Sequence, residues 1–242
     1  MFSLLRGLRR KRLGRRPFPS EWEPIVARRF GFAARLGPEE AERFRLHLKV
    51  FALDKDWAGA AGLVVTEEMK VVISGAAARL SRNLDLNLYD DLRTIVIYPS
   101  HYKHPDSDAI VYGEAHRWGQ VILSWDAVLS GLANATDGHN TALHEFAHVL
   151  DSSDGAFDGT PDLHQARDYH AWARVFSQRY FALRAAPNKN VLRPYGATNE
   201  AEFFAVATEA FFEKPAQLKL KAPDLYAELQ RYYRVDPGAN AR

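Results

Sequence analysis

The chain has 242 residues with 47% hydrophobic and 26% charged side chains, the profile of a soluble globular protein with enough chain to bury a real core. It has no cysteine, which excludes disulfides and thiolate metal sites, so any metal must be held by His, Asp or Glu. Lysine and arginine number 32 against 30 acids, but the balance is uneven: Arg6, Arg9, Arg10, Lys11, Arg12, Arg15 and Arg16 lie in the first 20 residues beside no acid, leaving 25 basic against 30 acidic residues in the remainder.

Residues 1–19 read as a basic arm, set off by Pro17 and Pro19. A solvated tail is the plainest form for it, and a short amphipathic helix touching anionic lipid or nucleic acid is the alternative. Its apolar run "FSLL" is too short for a signal peptide, and no later stretch approaches the roughly 18 apolar residues of a membrane span, so the expected location is the cytoplasm. Residues 20–242 are expected to form a single domain.

Ser20 followed by Glu23 has the spacing of a capping box and predicts a helix ending near Phe30. Pro38 and the acids after it open a second helix, and Thr66 caps a third whose small residues suit close packing. "TIVIYPS" (94–100), "DAIVYG" (108–113) and "GQVILSW" (119–125) are short, β-branched and bounded by turn residues, and predict the strands of one small mixed sheet. Thr160 and Pro161 mark the start of a long helix, and "NEAEFFAVATEAFFEKP" and "PDLYAELQRYYRV" close the chain as helices. Helices, a small sheet and more helices make an α+β fold.

The segment "TDGHNTALHEFAHVLDSSDG" holds the chemistry. Thr136, Asp137 or Asn140 can start its helix and "DSSDG" stops it. His144 and His148 are four apart and share one helix face, where two imidazoles reach one ion. Glu145 lies about 100° round the axis, placed for a general base rather than a ligand. A catalytic zinc site needs a third protein ligand. Glu202 and Glu209, seven apart on a later helix among phenylalanines, both offer one, and pattern alone does not choose between them. Asp151, three residues after His148, is positioned to take a hydrogen bond from a ligand imidazole or simply to end the helix. His101, His104, His116, His164 and His170 read as surface or packing residues.

"HEFAHVLD" together with "YGATNEAEFFAVATEAFF" resembles the Mlc titration factor A family of zinc-dependent peptidases, and the likeness extends through the arginine-rich arm and "SWDAV". The same two segments are similar to the protease domain of anthrax lethal factor. The resemblance implies a zincin-like metallopeptidase fold with one Zn²⁺ per chain, His144, His148 and Glu202 as ligands, Glu145 as general base and Tyr195 as oxyanion donor. Val206 stands where the lethal factor pattern has another glutamate, so nothing carries over there, and Glu209 stays a fallback ligand. It further implies an aminopeptidase-like preference, and a partner of the Mlc type, a transcriptional repressor of sugar uptake. Direct binding of nucleic acid is not expected, because the acidic body repels phosphate. Zinc peptidases of this kind lay the substrate along a sheet edge, for which "GQVILSW" is the expected strand.

Overall fold

The structure is a computed structural model that describes residues 2–103, 110–111, 113–116 and 119–239. It has two compact units, Met1–Leu132 and Ala133–Arg242.

In the first unit, α1 (Phe2–Gly14) is followed by α2 (Glu23–Arg29), α3 (Pro38–Asp54) and α4 (Glu67–Ser81). The N-terminal segment is not a solvated tail. Arg10 is buried, and its guanidinium donates to Asp54 at 3.0 Å and to Asn87 Oδ1 at 2.9 Å and pairs with Asp90. Leu13 is buried beside it, while Lys11, Arg12, Arg15 and Arg16 stay exposed. Arg10 and Leu13, three residues apart, give this helix a buried face, which its arginine content hides. The Ser20–Glu23 box does not form: residues Ser20–Trp22 make a 3-10 turn, and Ser20 Oγ turns to Glu21 instead. Thr66 does cap α4, its hydroxyl accepting from Met69 N–H at 3.3 Å. Trp22, Val26, Phe30, Phe44, Leu48 and Val71 form the core of these helices. The small residues of α4 serve close packing as expected: a β-carbon on Gly75 would stand 2.1 Å from Phe30 Cζ.

The sheet of this unit has the order β1 (Asp56–Gly59), β2 (Thr94–Tyr98), β6 (Gln120–Ser124), β5 (Gly113–His116). β1, β2 and β6 are parallel and β5 is antiparallel, so the mixed sheet and the α+β class are both present. Ile95 and Ile97 pair with Val121 and Leu123, and all four are fully buried. Three details differ from expectation. β1, "DWAG", has no alternating pattern and exists through its parallel pairing with β2. Of the run 108–113, Ile110–Val111 (β4) pairs with Tyr102–Lys103 (β3) as a separate two-stranded ladder, while residues 108, 109 and 112 lie outside the described residues. Finally, β6 is flanked by β2 and β5 and so is not an edge that could accept a substrate strand. Trp125–Ala133 continues as α5, so the strand ends at Ser124.

The second unit holds α6 (Thr141–Asp151), α7 (Asp168–Ala185), α8 (Glu200–Glu213), α9 (Pro215–Lys221) and α10 (Pro223–Tyr233). α7 starts at Asp168 rather than at Thr160–Pro161. The Tyr169 hydroxyl takes the Leu163 N–H at 3.0 Å and donates to Asp162, so residues 160–163 fold back on the first turn instead of extending it. The core is aromatic: Trp172 stacks on Phe176 at 3.8 Å, and Phe203, Phe204, Phe211 and Tyr233 are fully buried around them. Each such side chain contributes roughly 1.5–3 kcal/mol on burial, and together they hold α8 rigidly against its neighbours.

Candidate metal centre

α6 begins where its N-cap predicts. Asn140 Oδ1 accepts from Leu143 N–H at 3.1 Å, which satisfies one of the free donors of the first turn. The helix stops in the 3-10 turn Ser152–Asp154, closed by Gly155 at φ 90°. Within these bounds His144 and His148 project from one face. Both are buried, and their Nε2 atoms lie 3.2 Å apart.

α8 brings the third donor. Asn199 caps it by accepting from Glu202 N–H at 2.9 Å. Glu202 does not complete a capping box; its carboxylate turns to the histidines, with Oε2 at 2.9 Å from His144 Nε2 and 3.5 Å from His148 Nε2. Three donor atoms thus form a triangle with edges of 2.9, 3.2 and 3.5 Å. Donors about 2.0–2.1 Å from one tetrahedral ion stand about 3.3 Å apart, so the set fits a small divalent cation. Among the described residues, His144, His148 and Glu202 are the group arranged in this way.

Glu209 does not share that triangle. It lies on the opposite nitrogen of the same imidazole, with Oε2 3.3 Å from His144 Nδ1. Arg193 donates to the same oxygen at 2.5 Å, and Asn140 N–H donates to Oε1 at 2.7 Å. Burial works against the charge of Glu209, but His144, Arg193 and the Asn140 amide outweigh it and hold its carboxyl below the usual range. Arg193 was not singled out by sequence and Asn140 only as a possible helix start; neither carries a local signal for holding Glu209. Asn140 also donates through Nδ2 to Glu213 at 2.9 Å, so the cap of α6 is tied to two carboxylates of α8.

The electrostatics favour a cation. Burial alone would lower the His144 pKa, yet the two carboxylates on its ring push it up to about 10, and the histidines hold Glu202 well below the carboxylate range. Glu145 is buried beside them, and burial raises its pKa. Without an ion, a proton on His144 answers the carboxylates of Glu202 and Glu209, and a cation in the triangle can take its place.

Tyr195 sits in the 3-10 turn Pro194–Ala197, half exposed, with its ring centroid 5.9 Å from that of His144. Burial, then the nearby carboxylates of Glu202 and Glu145, push its pKa up to about 12. The turn is anchored by Arg193, whose Nε donates to Gly138 O at 3.0 Å.

Asp151 does not take a hydrogen bond from either imidazole. Its Oδ2 accepts from Gly159 N–H at 3.1 Å, and its Oδ1 and His148 Nδ1 are both buried and unbonded among the described residues. The carboxylate on the Nδ1 side of a site imidazole is Glu209, whereas Asp151 accepts from a loop amide; burial raises the Asp151 pKa to about 6 against the Gly159 bond. Gly159 adopts φ +79°, passes its carbonyl to Trp172 Nε1, and leaves no room for a side chain: a β-carbon would lie 2.4 Å from Glu200 O. Among the described residues, no other histidine joins the group. His101 and His170 are exposed and His164 bonds to Tyr232 O; His104 lies outside the described residues, and His116 ends β5.

The chain matches the family described as glucose-regulated metallo-peptidase M90 over residues 5–234. It is 38% identical to the uncharacterized protein slr2042 of Synechocystis sp., across 96% of this chain and 90% of that protein. It is 27% identical to Mlc titration factor A of Pectobacterium atrosepticum, across 91% and 88% of the two chains, and 28% identical to the protein of that name from Edwardsiella ictaluri, across 84% of each. A match of this extent takes in every residue of the triangle, and the chain belongs to the M90 metallopeptidase family, the family of Mlc titration factor A.

Proposed function

We propose that this chain is a zinc-dependent peptidase that holds its ion through His144, His148 and Glu202, moves protons through Glu145 and stabilises the oxyanion through Tyr195. The observation that carries this reading is the triangle of donor atoms, with edges of 2.9, 3.2 and 3.5 Å, on two capped helices. Zinc in such a set supplies Lewis acidity toward a water and toward a substrate carbonyl. Glu145 takes a proton from the attacking water and delivers it to the leaving nitrogen. Its burial suits this, because a carboxylate of raised proton affinity accepts a proton more readily near neutral pH. Tyr195 donates its hydroxyl to the carbonyl oxygen as charge develops there, and its raised pKa keeps that proton in place. The ring is half exposed, with its centroid 5.9 Å from that of His144, so a substrate at the site can meet it.

The substrate class proposed is short peptides with a free amino terminus, an aminopeptidase-like preference supported by the family resemblance. The proposed setting is the cytoplasm; no helix among the described residues is long and apolar enough to cross a membrane. Relatives named Mlc titration factor A support a second role, binding of an Mlc-like transcriptional repressor. In the alternative reading that sequestration is the main function and peptidase activity is secondary.

Metal analysis of the purified chain, with cleavage of amino-acid anilides and of free and blocked peptides, tests the first reading. About one zinc per chain and turnover that vanishes in Glu145→Gln are expected. A chain without zinc, or turnover unaffected by Glu145→Gln, overturns it. Binding of a purified Mlc-like repressor by Glu145→Gln tests the second role, because sequestration needs no proton transfer.

A further inference from the structure

A carboxylate with no exposed surface, flanked by Thr208, Ala210 and Phe211, is costly unless its oxygens are met by donors. Three donors meet Glu209, and each belongs to a different part of the metal centre. His144 is a donor of the triangle; Asn140 is the N-cap of the helix that carries both histidines; Arg193 lies two residues before Tyr195 and fixes that turn to Gly138 O. Glu209 meets His144 at Nδ1, on the side of the ring away from the triangle. With Nδ1 held there, Nε2 is turned toward His148 Nε2 and Glu202 Oε2. His148 has no such partner: its Nδ1 is buried and unbonded among the described residues. The two histidines are therefore not equivalent, and the ordering falls on His144.

We infer that Glu209, held by Arg193, is the positioning residue of this centre: it fixes the ring orientation of His144 and thereby sets the affinity for the metal. Arg193 acts through Glu209 by keeping its carboxylate aimed at Nδ1. The same pair connects the Tyr195 turn to the metal ligand, so metal affinity and the placing of the oxyanion donor depend on one ion pair. This inference rests on the metal centre proposed above.

The test measures zinc affinity of the metal-free full-length chain by competition with a chelator, for wild type, Glu209→Gln, Arg193→Gln and His148→Ala. Loss of an outer partner of this kind weakens metal binding by about 10–100-fold. That loss is expected in Glu209→Gln, and a loss in the same direction in Arg193→Gln. Glu209→Asp, measured alongside, keeps a carboxylate and should recover part of the affinity that Glu209→Gln loses. A purely structural Glu209 would change the melting temperature and leave zinc affinity alone. If Glu209→Gln does not fold, Arg193→Gln decides, since Arg193 is partly exposed and its removal spares the core. Folded variants that bind zinc within twofold of wild type overturn the inference while the metal centre stands. Wild type without zinc, matching His148→Ala, overturns both.

Discussion

The Nε2 atoms of His144 and His148 face each other at 3.2 Å, with their rings at 85°. Two imidazole nitrogens can approach this closely when a proton or a cation lies between their lone pairs. A third donor, Glu202 Oε2, closes the figure, and a divalent ion satisfies all three at once.

Metal loading should therefore be all or none with respect to this triangle. His144→Ala, His148→Ala and Glu202→Ala are each expected to reduce bound zinc sharply, as read by elemental analysis after gel filtration. Zinc added to the metal-free chain should raise the melting temperature, by the equivalent of about 4 kcal/mol at a thousand times its Kd, and His148→Ala should abolish the rise. Full zinc in Glu202→Ala alongside none in Glu209→Ala would exchange the roles given to the two glutamates.

Glu145→Gln keeps the shape of the side chain and removes its proton affinity. Zinc content should stay within twofold of wild type while turnover falls by roughly 10²-fold or more. An equal fall in metal and turnover would place Glu145 in the ligand set.

Tyr195→Phe should lower kcat by about 10²–10³-fold, with little change in KM, zinc content or melting temperature. The residue is half exposed and not part of the core, so a stability effect cannot mimic the loss. Unchanged kcat in fully loaded Tyr195→Phe would remove the tyrosine from the chemistry.

A separate prediction concerns the first unit. His47 is buried on α3 with Nδ1 3.0 Å from Ser81 Oγ, and burial, opposed by Asp85, lowers its pKa to about 4. Its folded pKa lies below the unfolded value of about 6.5, so the unfolded state binds the extra proton. The stability contribution is complete above about pH 6.5 and is lost as pH falls toward about 4, to an extent on the order of 3 kcal/mol. Chemical denaturation across this range should show the slope in wild type and a flatter profile in His47→Asn. Parallel profiles would reject the assignment.

The site was legible in part for a physical reason. α6 and α8 announce themselves through local rules, an asparagine cap and a helical spacing, and His144, Glu145 and His148 follow from four-residue periodicity. Glu202 and Glu209 were indistinguishable because both address the same imidazole, one at Nε2 and the other at Nδ1, and spacing along α8 does not tell the two nitrogens apart. Arg193 and Asn140 reach Glu209 across 16 and 69 residues, which no local pattern encodes. The same holds for the fold. β1 becomes a strand only by pairing with β2, and Arg10 becomes a buried residue only when Asp54 and Asn87 meet it. The Thr160–Pro161 start failed in the opposite way: it obeys the local rule, and the Tyr169 hydroxyl overrides it.

Gly159 gives the centre an unusual vulnerability. Its amide is held by Asp151, one turn beyond His148, and a β-carbon on it would stand 2.4 Å from the carbonyl oxygen of Glu200, two residues before Glu202. The gap between the two ligand-bearing helices is thus gauged by a residue that has no side chain. Alanine there would wedge the first turn of α8 outward and would adopt φ +79° only under strain. The donors would all remain, yet their triangle would open. A search for variants that lose metal would then return position 159 beside the ligands, although it offers the ion nothing, because in this centre the spacing between helices is as much a determinant of binding as the donor atoms themselves.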